Sequence, residues 1–207
     1  IRHVLDGFKA AEVSEAVVVI GHLGQQVKSY VESVKDELGL DVKYAVQPEP
    51  LGTADALLRA MELVEGGDLL VAYGDVVTAP GNYVRLAEAL RETGFAAVAV
   101  SKRQGSNDFA VDIESGRVKS VKWWGEWGFR LAGLFAFSEE AARYVERNPG
   151  VMRNSSIGIM PPMEAELAQS VDDMASSGRR VAAVAVEGYY EDVDFPWSIL
   201  RANMGYY

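Results

Sequence analysis

The chain contains no cysteine, which excludes disulfides and thiolate-held metals and fits a reducing compartment. It has only two histidines, His3 and His22. His3 falls within a helical pattern, and His22 follows a strand end with no identifiable partner. A histidine- or cysteine-centred nucleophilic mechanism therefore finds no support. No apolar run approaches the roughly 20 residues of a membrane span, and no stretch reads as a secretory signal. The expected location is the cytoplasm, with no membrane partner. Positive charge is the scarcer sign: 20 Lys and Arg stand against 30 Asp and Glu, for a net charge of -10. Such a chain repels a phosphate backbone, which argues against nucleic acid as a partner. Phosphate ligands stay open, because a divalent cation can mediate between acids and phosphate.

What is present is enough apolar material for a full core. Of 207 residues, 49% are apolar, and a chain of this length can bury roughly 70% of its unfolded surface. Ala16 to Ile20, Asp41 to Val46, Asp68 to Tyr73 and Phe95 to Ser101 read as short strands. Between them lie helical patterns: Ile1 to Phe8, a face of Leu23, Val27, Val31, Val34 and Leu38, then Thr53 to Val64, then residues 82–93. Strands alternating with helices predict an α/β fold with a parallel sheet covered on both faces. Near residue 105 the rhythm changes. Phe109–Ile113 and Val118–Trp124 predict a hairpin with Gly116 in its turn. Arg130 to Phe137 predicts a strand, and Ser138 a cap for a helix through about Arg147. Residues 148–163 read as a loop. Glu164–Ser177, Val181–Glu187 and a helix from about Trp197 complete the chain. It is expected to form one domain, with residues 1–104 and 105–207 as its two parts.

Three segments carry chemistry. The first, Val46-Gln-Pro-Glu-Pro-Leu-Gly-Thr-Ala-Asp-Ala56, leads from a strand into a helix. Gln47 offers an amide donor and an acceptor to a nucleobase edge. Gly52 lets a flat ring approach the backbone. Thr53 can cap the helix, whose N-terminus favours anions. The segment equally reads as a proline-rich turn before a capped helix. The second, Leu70-Val-Ala-Tyr-Gly-Asp75, ends a strand in an acid, where open α/β sheets bind ligands. Asp75 is placed to hold Mg²⁺, a hard cation that prefers oxygen ligands; a solvated Gly-Asp turn is the plainer reading. The third, Tyr189-Tyr-Glu-Asp-Val-Asp-Phe-Pro-Trp197, holds Asp192 and Asp194 before a helix with Pro196 near its start. Either acid could join Asp75 at a metal, or Asp194 could simply cap the helix. If the strands ending in Asp75 and Asp192 share a sheet, the two carboxylates should meet in one cleft. Trp123, Trp124 and Trp127 could stack on a sugar, form a partner interface or pack in the core.

In order along almost the whole chain, these segments resemble the sugar-phosphate nucleotidylyltransferase family. Pro48 to Ala56 looks like its base-binding segment, which implies nucleotide-binding roles for Gln47, Leu51, Gly52 and Thr53. Tyr73-Gly74-Asp75 resembles its metal-binding strand end, placing Gly74 with the nucleotide. Asp192 aligns with its second metal acid, so Asp75 and Asp192 are the candidate catalytic and Mg²⁺-binding pair. Ala132-Gly-Leu-Phe-Ala-Phe137 is similar to its sugar-contacting strand, which implies sugar-side roles for Gly133 and, in the hairpin and late helix, for Ala110 and Glu164. Ala110 stands where the family tends to have glycine, and Lys122-Trp-Trp-Gly-Glu126 where it has Glu-Lys-Pro. The resemblance implies a Rossmann-like, mainly parallel mixed sheet flanked by helices with a β-rich sugar-binding insert. It also implies Mg²⁺-dependent joining of a nucleoside triphosphate to a sugar 1-phosphate with release of pyrophosphate. Gln47 points to uracil, hence UTP. The family's glycine-rich triphosphate loop has no counterpart here, so about 20–40 further N-terminal residues, forming a strand and that loop, are expected. A non-catalytic regulatory homologue that binds a nucleotide sugar and a metal-dependent glycosyltransferase are the alternative readings. Assembly as a homo-oligomer is left open.

Overall fold

The computed structural model describes residues 1–102, 109–126 and 128–206. Trp127 and the expected division near residue 105 lie outside them. The chain begins with an amphipathic helix, α1 (Arg2–Ala10), followed by β1 (Glu15–Ile20), α2 (Gly24–Leu38) and β2 (Asp41–Val46). β1 and β2 pair in parallel from Glu15↔Asp41 to Ile20↔Val46. Leu5, Val18, Ile20, Val31, Leu38 and Val42 form the small core beneath the helices.

The second layer holds α3 (Thr53–Met61), β3 (Leu69–Ala72), β4 (Val76–Thr78), α4 (Gly81–Thr93) and β5 (Ala96–Lys102). The hairpin of β6 (Phe109–Glu114) and β7 (Arg117–Trp123) follows, then β8 (Phe129–Phe137), α5 (Glu139–Val145), α6 (Leu167–Ser176) and β9 (Val181–Ala185). β10 (Tyr190–Asp192) and α7 (Pro196–Tyr206) end the chain. β3, β8, β5, β9, β7 and β6 lie side by side in one sheet, so both expected parts of the chain share it. Alternation along β5 sends Ala96, Val98 and Val100 to one face and Ala97 and Ala99 to the other. Val98 and Val100 pack with Met152, Leu167 and Val171, and Ala97 and Ala99 with Tyr83, Leu86 and Leu90 of α4. Both faces are thus apolar and covered by helices, which explains the near-continuous apolar run of β5.

The α/β class and the mixed sheet are as expected. Among the described residues, parallel pairing of whole strands is confined to β1–β2 and β5–β9, while β8 runs antiparallel between β3 and β5. The hairpin turn falls at Ser115-Gly116 and Ser138 Oγ accepts from Ala141 N–H at 3.2 Å, both as predicted. Among the described residues, β1 and β3 each pair along one edge only, and their facing sides line a common cavity of about 1020 Å³. No helix among the described residues is long and apolar enough to cross a membrane.

Candidate functional site

Two short strands that periodicity could not reveal build the centre of the site. β4 follows Asp75 directly, and β10 ends in Asp192. They pair antiparallel, with Asp192 opposite Val76, and Val193 N–H donates to Asp75 C=O at 3.2 Å. The two acids therefore meet as expected, but through this separate two-stranded ribbon rather than as neighbouring strand ends of one sheet. Asp194 joins them: one carboxylate oxygen from each of Asp75, Asp192 and Asp194 lies within 4.8 Å of the others. Three hard oxygen donors at this separation suit a cation such as Mg²⁺.

The ribbon is held from below by Asn82 on α4, which is fully buried. Its Nδ2 donates to Thr78 Oγ1 at 2.8 Å and Glu187 C=O at 2.9 Å, and its Oδ1 accepts from Glu187 N–H at 2.9 Å. Tyr73, just before the first acid, carries a buried hydroxyl, and that burial pushes its pKa up. Gly133 makes the close approach here possible. Its φ is +67°, its C=O accepts from Tyr73 N–H at 2.9 Å, and a Cβ on it would sit 2.7 Å from Val76 Cγ2. Gly133 thus shapes the backbone beneath the acids.

The segment expected to bind the base opens onto the same cavity, which Gln47, Thr53, Tyr73, Gly74 and Asp75 line together. Gln47 is more committed than its sequence suggests. Its Nε2 donates to Gly52 C=O at 3.0 Å and Asp55 Oδ2 at 2.8 Å. Both partners are pure acceptors, so the amide orientation is fixed and only Oε1 is left to read a ligand. Arg59, then Gln47, lower the Asp55 pKa against its partial burial. Leu51 is exposed, with its C=O accepting from Ala165 N–H at 2.9 Å. Gly52 has φ +104° and abuts the Ala165 backbone.

The expected cap of α3 by Thr53 needs correction. Gly52, not Thr53, is the N-cap of α3, and it makes no side-chain cap. The Thr53 hydroxyl reaches across the site instead. It accepts from Leu167 N–H at 2.8 Å, capping α6, accepts from the Tyr73 hydroxyl at 3.3 Å, and donates to Glu166 Oε2 at 2.7 Å. All its hydrogen-bonding capacity is used within the protein. The α3 N-terminus is likewise engaged: Ala54 N–H donates to Ala165 C=O at 2.6 Å, and Asp55 sits in the first turn. Glu164 is exposed ahead of α6, whereas Glu166, two residues on, is the acid tied to the base segment. Burial raises the Glu166 pKa, against the hydrogen bond from Thr53.

Of the residues expected on the sugar side, Ala110 is fully buried, and a Cβ placed on Gly125 would lie 2.8 Å from its methyl. Trp123 packs against the core, with its ring 5.0 Å from Phe109 and 6.0 Å from Trp124. Trp124 adopts φ +60°, and its C=O accepts a hydrogen bond from Ser156 Oγ. Arg130, at the start of β8, lies 3.9 Å from Asp192. Sequence reading passed over Arg130 and Glu166. The signals were a lone cation at the head of the apolar run Leu131–Phe137 and the second of two neighbouring acids.

Residues 1–122 match the family model described as nucleotidyl transferase. Over 98% of its length the chain is 24% identical to the low-salt glycan biosynthesis nucleotidyltransferase Agl11 of Haloferax volcanii. It is 36% identical over 49% of its length to the bifunctional protein GlmU of Burkholderia orbicola. The chain spans 56% of the first relative and 21% of the second. The fold is shared with a UDP-glucose pyrophosphorylase solved with UDP-glucose, with a TM-score of 0.82 at 13% identity, covering all of this chain and 85% of that one.

Proposed function

Given that the chain belongs to the nucleotidyl transferase family, we propose that it joins a nucleoside triphosphate, UTP for preference, to a sugar 1-phosphate and releases pyrophosphate. The observation that carries this reading is the convergence of Asp75, Asp192 and Asp194 at the cavity end that Gly74 and Asp75 share with Gln47. These three acids would hold Mg²⁺, which when bound neutralises phosphate oxygens and orients them for in-line attack.

The chain's own residues do the positioning. Gln47, its amide nitrogen pinned by Gly52 and Asp55, presents Oε1 as an acceptor, which matches the N3–H of uracil. Gly52 lets the Ala165 backbone lie against the start of α3, and its C=O accepts from the Gln47 amide and so holds it in place. Tyr73, Thr53, Glu166 and Leu167 form a hydrogen-bonded brace between the base segment and α6, so the base side and the acids move little relative to each other. Holding two reactants in register is the main lever for this chemistry, since the attacking oxygen is supplied by the second substrate.

The test is a coupled assay of pyrophosphate release from each nucleoside triphosphate, with and without a panel of sugar 1-phosphates. Release that needs both substrates, and is fastest with UTP, is the expected result. Binding without turnover would identify a regulatory homologue. Release of a nucleoside diphosphate from a nucleotide sugar, with an acceptor present, would replace this reading with glycosyl transfer.

A further inference from the structure

The acid cluster has a cation beside it that the reaction as outlined does not use. Arg130 opens β8, opposite Ser101 of β5 and Ala110 of β6, and its side chain is only 13% exposed. Its Nε donates to Ser101 Oγ at 3.1 Å. Its guanidinium lies over the Tyr190 ring, 5.1 Å from the centroid. Its Nη1 lies 3.9 Å from Asp192 Oδ2. That distance is too long for a hydrogen bond, so the pair is an electrostatic one. Ser101 and Tyr190 thus hold the guanidinium in one orientation beside the acids, on the strand that also carries Gly133.

A chain of net charge -10 with three carboxylates at one point repels any anion that approaches it. A second anionic substrate needs a fixed positive group on its own side of the site. A guanidinium suits that role: its planar fork matches phosphate oxygens, and it stays charged when buried. Ser101 and Tyr190 already restrict its rotamers, so little ordering remains when a ligand arrives.

We infer that Arg130 binds the phosphate group of the sugar 1-phosphate and so determines that the second substrate is a phosphate monoester rather than a free sugar. This rests on the functional reading above. Asp192 then has a neighbour that orders it from the sugar side, while Ser101 and Tyr190 act as positioning residues for the guanidinium.

The experiment is equilibrium binding by calorimetry, using the full chain with Mn²⁺ and a non-hydrolysable UTP analogue. Glucose, N-acetylglucosamine and mannose 1-phosphates are each compared with their free sugars. Wild type should prefer the phosphorylated form of the sugar it accepts. In Arg130→Gln that preference should shrink by roughly tenfold or more, as expected for losing charge-assisted hydrogen bonds, while UTP-analogue and Mn²⁺ affinities stay within about twofold. Unchanged preference would overturn the inference and leave the functional reading standing. A wild type that binds nucleotide but no sugar phosphate would overturn both. Should Arg130→Gln fail to fold, Arg130→Lys carries the test. It keeps the charge but loses the planar fork, so phosphate preference should fall severalfold with nucleotide affinity retained. Equal preference in Arg130→Lys would count against the role.

Discussion

Replacing Gly52 by alanine should damage both stability and nucleotide binding, and the structure gives the size. Gly52 has φ +104° and ψ 172°, a region open essentially to glycine and costing other residues about 1–3 kcal/mol. A Cβ there would also meet Ala165 O, N and C at 2.5–2.7 Å. Those are backbone atoms, held in place by hydrogen bonds to Ala54 and from Ala165 N–H to Leu51 C=O, so they cannot swing aside as a side-chain tip would. Relieving the clash means giving up one or both bonds, at about 1 kcal/mol each. The sum is about 2–5 kcal/mol, a large part of the roughly 5–15 kcal/mol that stabilises a typical domain. With a urea slope of about 2–3 kcal/mol per molar, the unfolding midpoint should fall by about 1–2 M. Gly39→Ala is the control. Gly39 has φ +70° with no atom near its Cβ position, so only the left-handed cost of about 1–2 kcal/mol applies. Urea titration of both variants, with UTP-analogue binding measured on the folded fraction, reads the difference. If Gly52→Ala loses no more than Gly39→Ala and binds nucleotide normally, the reasoning about the Ala165 contact is wrong.

The other predictions follow from the same geometry. Asp75→Asn and Asp192→Asn should each weaken Mn²⁺ binding by tenfold or more, on the order of 1.4 kcal/mol; unaltered titrations by electron paramagnetic resonance would remove the cation site. Asn82→Ala should strip partners from Glu187 N–H and C=O, costing about 2–4 kcal/mol, and should loosen the β4–β10 ribbon. Rapid hydrogen exchange at Val193 N–H, which bonds Asp75 C=O, would report that loosening, and unchanged protection would contradict it. For Glu166, burial raises the folded-state pKa above its usual 4.5. The folded protein then holds this proton more tightly than the unfolded chain does. The contribution to stability is complete below about 4.5 and is lost as pH rises through the folded value. Glu166→Gln can still accept from Thr53 but never ionises, so its melting temperature should decline less than that of wild type from pH 4.5 upwards. Parallel melting curves across that window would refute the assignment.

How far the sequence speaks depends on the range of the forces involved. Periodicity located β1, β2, β5, β8 and the helices because burying one face or both is written into residue order. The Ser138 cap and the Ser115-Gly116 turn were legible because each bonds within three residues of itself. The order of motifs likewise pointed to Asp75 and Asp192 as partners. Tertiary structure decided the rest. β4 and β10 are three residues each, too short to show a period, and they gain their partners only by pairing across more than a hundred positions. Thr53 carries every local mark of a cap for α3. It caps α6 instead, because the folded chain brings Leu167 N–H and Glu166 to its hydroxyl. Gln47 looked like a two-way reader of a base until Gly52 and Asp55 claimed its donor. Arg130 is one basic residue in an acidic chain, and only the folded placement of its guanidinium over the Tyr190 ring sets it beside Asp192. A side chain's chemistry is fixed by its type, but the partner that uses it is chosen by long-range contacts, which residue order alone does not rank.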